Sequence, residues 1–343
     1  MLRFYTSPYK LKGYWESLYF SSSSVCTPFQ SYEANECYYK VYNLKGSRRK
    51  YTPVFAYHTD GKNQCIVPLI VSKKEKILRN FSSFGPIDYY HIIASSYEES
   101  YIRQVLREIC AQYPNFAILF ENIPEDSILY AILSTEGKNS KEICVHIPLV
   151  QYNNLDEYIH ALSKHQRQNI RTAYNKLARN SIRYHLEAYD KTHAMPKFVQ
   201  KQCAQMYESR YEYKFGIPKT HPILKWLMRR LRRWQDPLNR IISSSPQNST
   251  FVLFYNDTPV AYLSGFYNQE KTCFYVPRLT CHVDYLSYDP GILMLLEVIK
   301  KMKENNVKSL DLTRGDEPYK YAIGGVEHYN YTLTFNTNNH NLI

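Results

Sequence analysis

The chain has 343 residues, 44% of them hydrophobic, and a formal net charge of +12. That much apolar side chain excludes a disordered tail, and the length allows two ordinary domains. The positive balance favours anionic partners, whether nucleic acid, anionic lipid or phosphate-rich metabolites, and does not choose among them.

The opening MLRFYTSPYKLKGYW lacks the apolar run of a signal peptide. No stretch reaches transmembrane length. A cytoplasmic location, at most peripheral to the inner membrane face, is therefore the expectation. Ser21–Ser24 reads as a loop. Residues 36–44 (ECYYKVYNL), 52–58 and 64–72 are rich in aromatic and β-branched side chains and read as strands. Thr59-Asp60-Gly61-Lys62 joins the last two as a hairpin turn. Helical spacing of Ile102, Val105, Leu106 and Ile109 predicts a helix over about 97–113, and Phe116–Phe120 follows as a strand.

A basic helical region comes next. Residues 155–180 place Leu162, Ile170, Ala173 and Leu177 on one side, with Lys164, Arg167, Arg171, Lys176 and Arg179 elsewhere. A strand near 182–189 leads to a helix at about 193–212. A further helix at 220–234 sets an apolar stripe (Ile223, Leu224, Leu227, Leu231, Trp234) against five basic residues, a pattern that fits a surface helix or a contact with anionic membrane. Phe251–Tyr255 and Val260–Phe266 form a hairpin, 272–279 a third strand, about 290–305 a helix and Ser309–Leu312 a strand.

This order repeats the first half. Asp60 falls opposite Asp257, an offset of 257 − 60 = 197, and Asp88-Tyr89 opposite Asp284-Tyr285, an offset of 284 − 88 = 196. Two copies of one unit are expected, divided as an N-terminal domain over 1–150 and a C-terminal domain over 151–343.

The segment 284–325 carries the most chemistry. Pro290 suits the first turn of a helix, and Gly291 lets another group approach the backbone. Unpaired N–H groups at such a start attract phosphate, although a plain helix start fits the same residues. The matching position in the first half holds Glu98 and Glu99, which suit the helix dipole but repel phosphate. After the short strand, Thr313-Arg314-Gly315-Asp316-Glu317-Pro318-Tyr319-Lys320 reads either as a solvated loop or as a site. In the second reading Arg314 and Lys320 hold phosphate and Tyr319 donates a proton. The eight cysteines are scattered without a CxxC pair, and no spacing typical of a metal site, a P-loop, a Rossmann fingerprint or GxSxG is present. No metal is expected.

The run DPGILMLLEVIKKMKENNVKSLDLTRGDEPYKY resembles the C-terminal signature of GNAT-superfamily proteins of the CelD-like (cellulose-biosynthesis-type) acetyltransferase family, distant relatives of the Fem-type peptidyltransferases. LSKHQRQNIRTAYNKLARN resembles the family's basic helix between domains. TPFQSYEANECYYKVYNL, CIVPLIVSKK and FGPIDYY resemble its N-terminal half.

The resemblance implies an α/β (α+β) fold of tandem GNAT-like domains, each a mixed, mostly antiparallel sheet flanked by helices. It implies acetyl-CoA or another acyl-CoA as donor, lying in a gap between two central strands, with its pyrophosphate on Tyr288, Asp289, Gly291 and Ile292. The first domain would be degenerate and serve the acceptor side. Asp284 and Asp311 are the base candidates, each fitting a cap or turn equally. Tyr285 and Tyr319 are the acid candidates. Arg167, Arg171, Arg278 and Asp316 would meet the acceptor, an amino sugar or a cell-envelope or polysaccharide precursor. The sequence departs from the usual motif in lacking an Arg/Gln-x-x-Gly-x-Gly/Ala run, of which only Gly291 remains. Two alternatives stay open: a Fem-type transferase using aminoacyl-tRNA, and a non-catalytic basic module that binds nucleic acid or anionic membrane.

Overall fold

A computed structural model describes residues 1–22, 25–44, 51–81, 87–134, 138–214 and 237–336. The helix expected at 220–234 and residues 23 and 24 of the expected loop lie outside the described residues. The elements run β1 (Leu2–Tyr5), α1 (Lys12–Ser21), α2 (Tyr32–Leu44), β2 (Thr52–Thr59), β3 (Gln64–Ser72), β4 (Ile77–Asn80), β5 (Ile93–Ala94), α3 (Glu99–Gln112), β6 (Ala117–Pro124) and α4 (Ile128–Leu133). Then come β7 (Lys138–Pro148), α5 (Leu155–Ala161), α6 (Lys164–Arg179), β8 (Tyr184–Tyr189), α7 (Lys197–Lys214) and α8 (Pro237–Ser244). The rest is β9 (Asn248–Tyr255), β10 (Thr258–Tyr267), β11 (Cys273–Cys281), α9 (Pro290–Glu304), β12 (Ser309–Arg314), α10 (Pro318–Ala322) and β13 (Val326–Asn336).

The chain divides into two compact units. The first holds Met1–Cys144, Pro237–Ser245 and His328–Ile343, and the second Val145–Asp236 and Pro246–Glu327.

In the first unit the strands neighbour one another as β1-β2-β3-β4-β6-β13, with β5 beside β3. Every pair is antiparallel except β4 with β6. Asp60 makes the β2–β3 turn by accepting from the N–H groups of Lys62 (2.8 Å) and Asn63 (2.6 Å). Apolar residues of α3, among them Ile102, Val105, Leu106 and Ile109, bury against β-strand residues such as Val67, Leu69 and Ile118. The segment 36–44 is helical, not a strand. Ser31 caps α2 by accepting from the Ala34 N–H (3.2 Å), and Ala34, Asn35 and Tyr38 are buried at helical spacing. This cap and period outweigh the β-preference of the tyrosines.

The second unit has the order β7-β12-β11-β10-β9-β8. From β11 to β8 the neighbours pair antiparallel, and β11 pairs parallel with β12. The expected helical region at 155–180 holds two helices, α5 and α6. They break at Leu162 and Ser163, and the Ser163 hydroxyl caps α6 by accepting from Gln166 N–H (3.1 Å). One face of the sheet carries a large core in which α9 supplies Leu293, Met294, Leu296 and Ile299 and α6 supplies Ile170, Ala173 and Leu177. The other face packs Val252, Phe254 and Tyr262 against Val199, Cys203 and Met206 of α7.

The two units repeat one motif. Three antiparallel strands lead through a helix to a fourth strand, which pairs parallel with the third: β2-β3-β4-α3-β6 in one and β9-β10-β11-α9-β12 in the other. The duplication expected from the Asp60/Asp257 offset is thus present in the topology. No helix among the described residues is long and apolar enough to cross a membrane.

Candidate active site

The second unit parts its own sheet. β11 and β12 pair only at Cys273↔Ser309, Phe274↔Leu310 and Tyr275↔Asp311. Beyond that, Val276 to Cys281 and Leu312 to Arg314 continue without pairing to each other. The cause lies one strand over. Between β10 and β11 the register slips from Phe266↔Tyr275 to Ser264↔Arg278, so β11 carries one extra residue, at Val276-Pro277. Pro277 has no N–H to give to a ladder. Gly265 sits opposite, where a Cβ would stand 1.9 Å from the Tyr275 carbonyl oxygen. Glycine is the residue that lets the two backbones approach this closely.

The bulge also exchanges the faces of β11. Before it, Phe274 and Val276 enter the α9-side core. After it, Leu279 and Cys281 face that side, while Arg278 turns to the other, its guanidinium 4.1 Å from the Tyr207 ring centre on α7. The gap therefore joins two differently equipped surfaces.

On the α9 side, the 3-10 turn Val283–Tyr288 leads into the helix through Asp289, which caps it in the left-handed conformation (φ 52°). Pro290 fills the first helical position, and the first bond along the helix axis is Leu293 N–H to Asp289 O (3.2 Å). The N–H groups of Gly291 and Ile292 precede it, as the open donors of a helix start do. Gly291 faces Cys281, whose Sγ would lie 3.1 Å from an added Cβ. Burial pushes the Cys281 thiol up to about 11, so it stays protonated near neutrality. Tyr285 and Tyr288 stack their edges on Tyr255, which donates to the Tyr288 carbonyl (3.1 Å). Both tyrosines brace the turn, and the acid candidate Tyr285 is part of that brace. Lys176 of α6 donates to the Ser287 carbonyl (2.9 Å) and lies 4.0 Å from the Asp289 carboxylate. Sequence reading placed Lys176 only among the basic residues of its helix.

The loop after β12 holds Tyr319, 41% exposed. Loss of water, then the charge of Glu317 and the nearby Cys281, holds its hydroxyl above the usual tyrosine range. Lys320 does not face a ligand: it is 2% exposed, and its ammonium donates to the carbonyls of Thr313 (3.3 Å), Arg314 (2.8 Å) and Gly315 (3.0 Å) beside Glu317 (3.1 Å). It locks a loop whose backbone takes positive φ at Thr313 (55°) and Gly315 (105°). The expected phosphate role of Lys320 gives way to this lock, because three carbonyls and a carboxylate already use its donors.

On the α7 side Asp311 is buried and accepts from the Thr313 N–H (2.7 Å). It occupies the last paired position before the strands part. Arg278, 8% exposed, lies on this face near the hydroxyl of Tyr262, whose burial raises its pKa and whose arginine neighbour lowers it. Thr250 and Ser264 share a hydrogen bond of 2.9 Å there.

Other expected residues lie apart. Arg167 donates to the carbonyls of His160 (2.8 Å) and Leu162 (2.6 Å) and closes the end of α5, a structural task. Arg171 is exposed on α6, and Asp284 and Asp316 are exposed. Arg314 is half-buried in the loop. The bulge itself was readable as Pro277 inside a strand with Gly265 in its neighbour. Among the described residues no three His, Cys, Asp or Glu side chains converge as a metal site requires.

Residues 164–321 match the family described as acetyltransferase (GNAT) domain. No curated protein is significantly similar in sequence. Among solved structures, FemX superposes over 97% of this chain and 98% of its own, with a TM-score of 0.61 and 10% identity. A conserved protein of unknown function from Bacteroides thetaiotaomicron covers 97% and 100%, with 0.57 and 12%. The C-terminal domain (DUF2156) of a protein described as a lysylphosphatidylglycerol synthetase, from Agrobacterium fabrum, covers 96% and 93%, with 0.55 and 8%. At these identities the likeness is one of fold. Residues 164–321 thus resemble a GNAT acetyltransferase domain, within a chain whose mixed, mostly antiparallel α/β fold is shared with these structures.

Proposed function

We propose that the protein is an acyl-CoA-dependent N-acyltransferase, with acetyl-CoA as donor and an amine of an amino sugar or cell-envelope precursor as acceptor. One observation carries this reading: β11 and β12 part after Tyr275 and Asp311, and the gap ends at the N-terminus of α9. A gap between strands suits an extended chain, and the open N–H groups of Gly291 and Ile292 suit its pyrophosphate. The donor brings an activated thioester carbonyl.

The chain's own residues then have distinct tasks. On the α7 face Arg278 holds an anionic group of the acceptor, and Asp311 takes the proton that the amine nitrogen loses as it bonds to the carbonyl carbon. The carbon–sulfur bond breaks, and Tyr319 gives its proton to the departing sulfur. Its raised pKa keeps that proton in place until then.

The test is calorimetric titration with acetyl-CoA of the native chain and of Gly291→Glu. The reading expects native binding and at least tenfold weaker binding by the variant, whose carboxylate opposes phosphate at the helix start. No native binding at millimolar donor would sink it.

A second reading has its own support. α6 contains no acidic residue and exposes Lys164, Arg171 and Arg179, which suits a nucleic-acid backbone and hence aminoacyl-tRNA as donor. It predicts tRNA binding that weakens steeply with salt.

A further inference from the structure

Along the C-terminal half of α9, about 9 to 20 Å along the helix from Gly291, the second unit has a groove of roughly 600 Å3. Leu155 and Ile159 of α5 give it an apolar floor, and Tyr174 and Tyr184 form one wall. Their rings lie 5.7 Å apart at 48°, and Tyr184 is 38% exposed. Neither the bulge nor the gap between β11 and β12 touches this place.

Glu297 is the feature that asks for a ligand. It sits half-buried in the middle of α9 and lines the groove. One oxygen accepts from the Tyr174 hydroxyl (3.2 Å). The other has no partner among the described residues, and Glu297 makes no ion pair there. Burial, and after it the charge of Glu297, pushes the Tyr174 and Tyr184 hydroxyls up. Both phenols therefore stay neutral, and neither balances the carboxylate. The groove's lysines form no ion pair with it among the described residues: Lys303 donates to the Leu149 carbonyl (3.0 Å), and Lys300 is exposed. A half-buried carboxylate that faces the groove with one neutral partner offers its other oxygen to a cation. Aromatic faces beside it favour the same sign of charge.

The rim adds a second requirement. Asp156, Lys300 and Glu304 border the groove and present both donors and acceptors. A small alkylammonium would leave them unused, whereas a polyhydroxylated ring would engage them. We propose that this groove binds an amino sugar. Its ammonium sits on the open oxygen of Glu297, one ring face lies on Tyr184, and its hydroxyls meet Asp156, Lys300 and Glu304. The inference stands on the groove alone and needs no acyl transfer.

The test uses the full chain without acyl-CoA, titrated with glucosamine, N-acetylglucosamine, glucose and putrescine, with saturation-transfer NMR as readout. Glucosamine is expected to bind in the millimolar range. Glucose and N-acetylglucosamine, which lack the charge, and putrescine, which lacks the ring, are expected to bind about tenfold more weakly or worse, the equivalent of one charge-assisted hydrogen bond. Glu297→Gln and Tyr184→Ala should each weaken glucosamine by about the same factor, and Gly291→Glu should leave it unchanged. Asp156→Asn, an exposed change at the rim, keeps the test open should Glu297→Gln fail to fold, and should weaken binding by about twofold to threefold. Equal binding of putrescine would overturn the sugar. Indifference to Glu297→Gln, or loss in Gly291→Glu, would overturn the place, the latter by moving glucosamine to the α9 N-terminus.

Discussion

The two units build the same strand–helix–strand crossing and finish it in opposite ways. In the first, β4 stops at Asn80, one residue past its last pairing with β6 at Arg79↔Leu119. There Asn80 donates to the Glu121 carbonyl (2.6 Å) and accepts from the Glu121 N–H (3.0 Å), so a buried amide stitches the two strands shut. In the second, the residue at the same offset, 80 + 196 = 276, is Val276, where the bulge begins and the strands part. The helix starts differ in the same sense: Glu98 and Glu99 against Pro290 and Gly291. A duplicated fold does not fix a site. One extra residue in a strand, made possible by one glycine, turns a closed crossing into an open one.

The largest break in this comparison is expected at Gly265. A methyl group there would lie 1.9 Å from the Tyr275 oxygen and 3.0 Å from its carbonyl carbon, both backbone atoms. Gly265→Ala should cost on the order of 3 kcal/mol or more, because the bulge must move rather than a side chain. Gly13 of the first unit, inside α1 with nothing within 4 Å of an added Cβ, is the control. Gly13→Ala should stabilise by about 0.5–1 kcal/mol through helix propensity. Denaturant unfolding of both variants reads the difference. Equal, small effects would mean that the bulge does not depend on close approach.

Most of the frame was legible from periodicity. The β2–β3 and β9–β10 hairpins, α3 and α9 carry clear alternation or helical spacing, and the Asp60/Asp257 offset announced the repeat. α2 was misread because its tyrosines speak for strand while a single serine and three buried positions speak for helix. Around the site, sequence pointed to the right stretch but not to the tasks. Lys320 next to Gly and Pro looks like a ligand clamp in one dimension. Only the three-dimensional loop brings the carbonyls of residues 313 to 315 around its ammonium. Arg167 was drawn to the end of its neighbouring helix by the same kind of local demand.

A second break separates the units by pH. His91 of the first unit is 7% exposed, and burial lowers its pKa from 6.5 to about 4, a shift that nearby Asp126 opposes only in part. The described histidines of the second unit are exposed or half-exposed. A histidine with a depressed folded pKa contributes its full stability above the unfolded value and loses it as pH falls. Here that window runs from 6.5 down to about 4. The loss should approach roughly 3 kcal/mol, and it belongs to the first unit. A chain carrying Trp226→Phe and Trp234→Phe leaves the buried Trp15 to report on that unit. Its denaturant midpoint should fall between pH 7 and pH 4 by more than that of the same chain with His91→Gln. A parallel fall in both would assign the acid sensitivity to carboxylates instead.

The smallest expected effect is the sharpest statement about why one unit is closed. Asn80→Ala removes both stitches to Glu121 and leaves that partly buried backbone N–H and carbonyl without the amide. The cost should be about 2 kcal/mol, since an unmade buried hydrogen bond costs more than a made one contributes. If the amide alone closed the crossing, removing it would open a second gap and raise the number of acyl-CoA sites per chain in calorimetry. The expectation is that it does not. β4 ends where β11 goes on, the β3–β4 register runs unbroken from Leu69↔Asn80 to Ser72↔Ile77, and the helix start beyond it carries two carboxylates. Without a bulge no strand diverges, and without a diverging strand the lost amide leaves a small void rather than a channel. A measured second site would show that the side chain, and not the extra residue in β11, is what distinguishes the two copies.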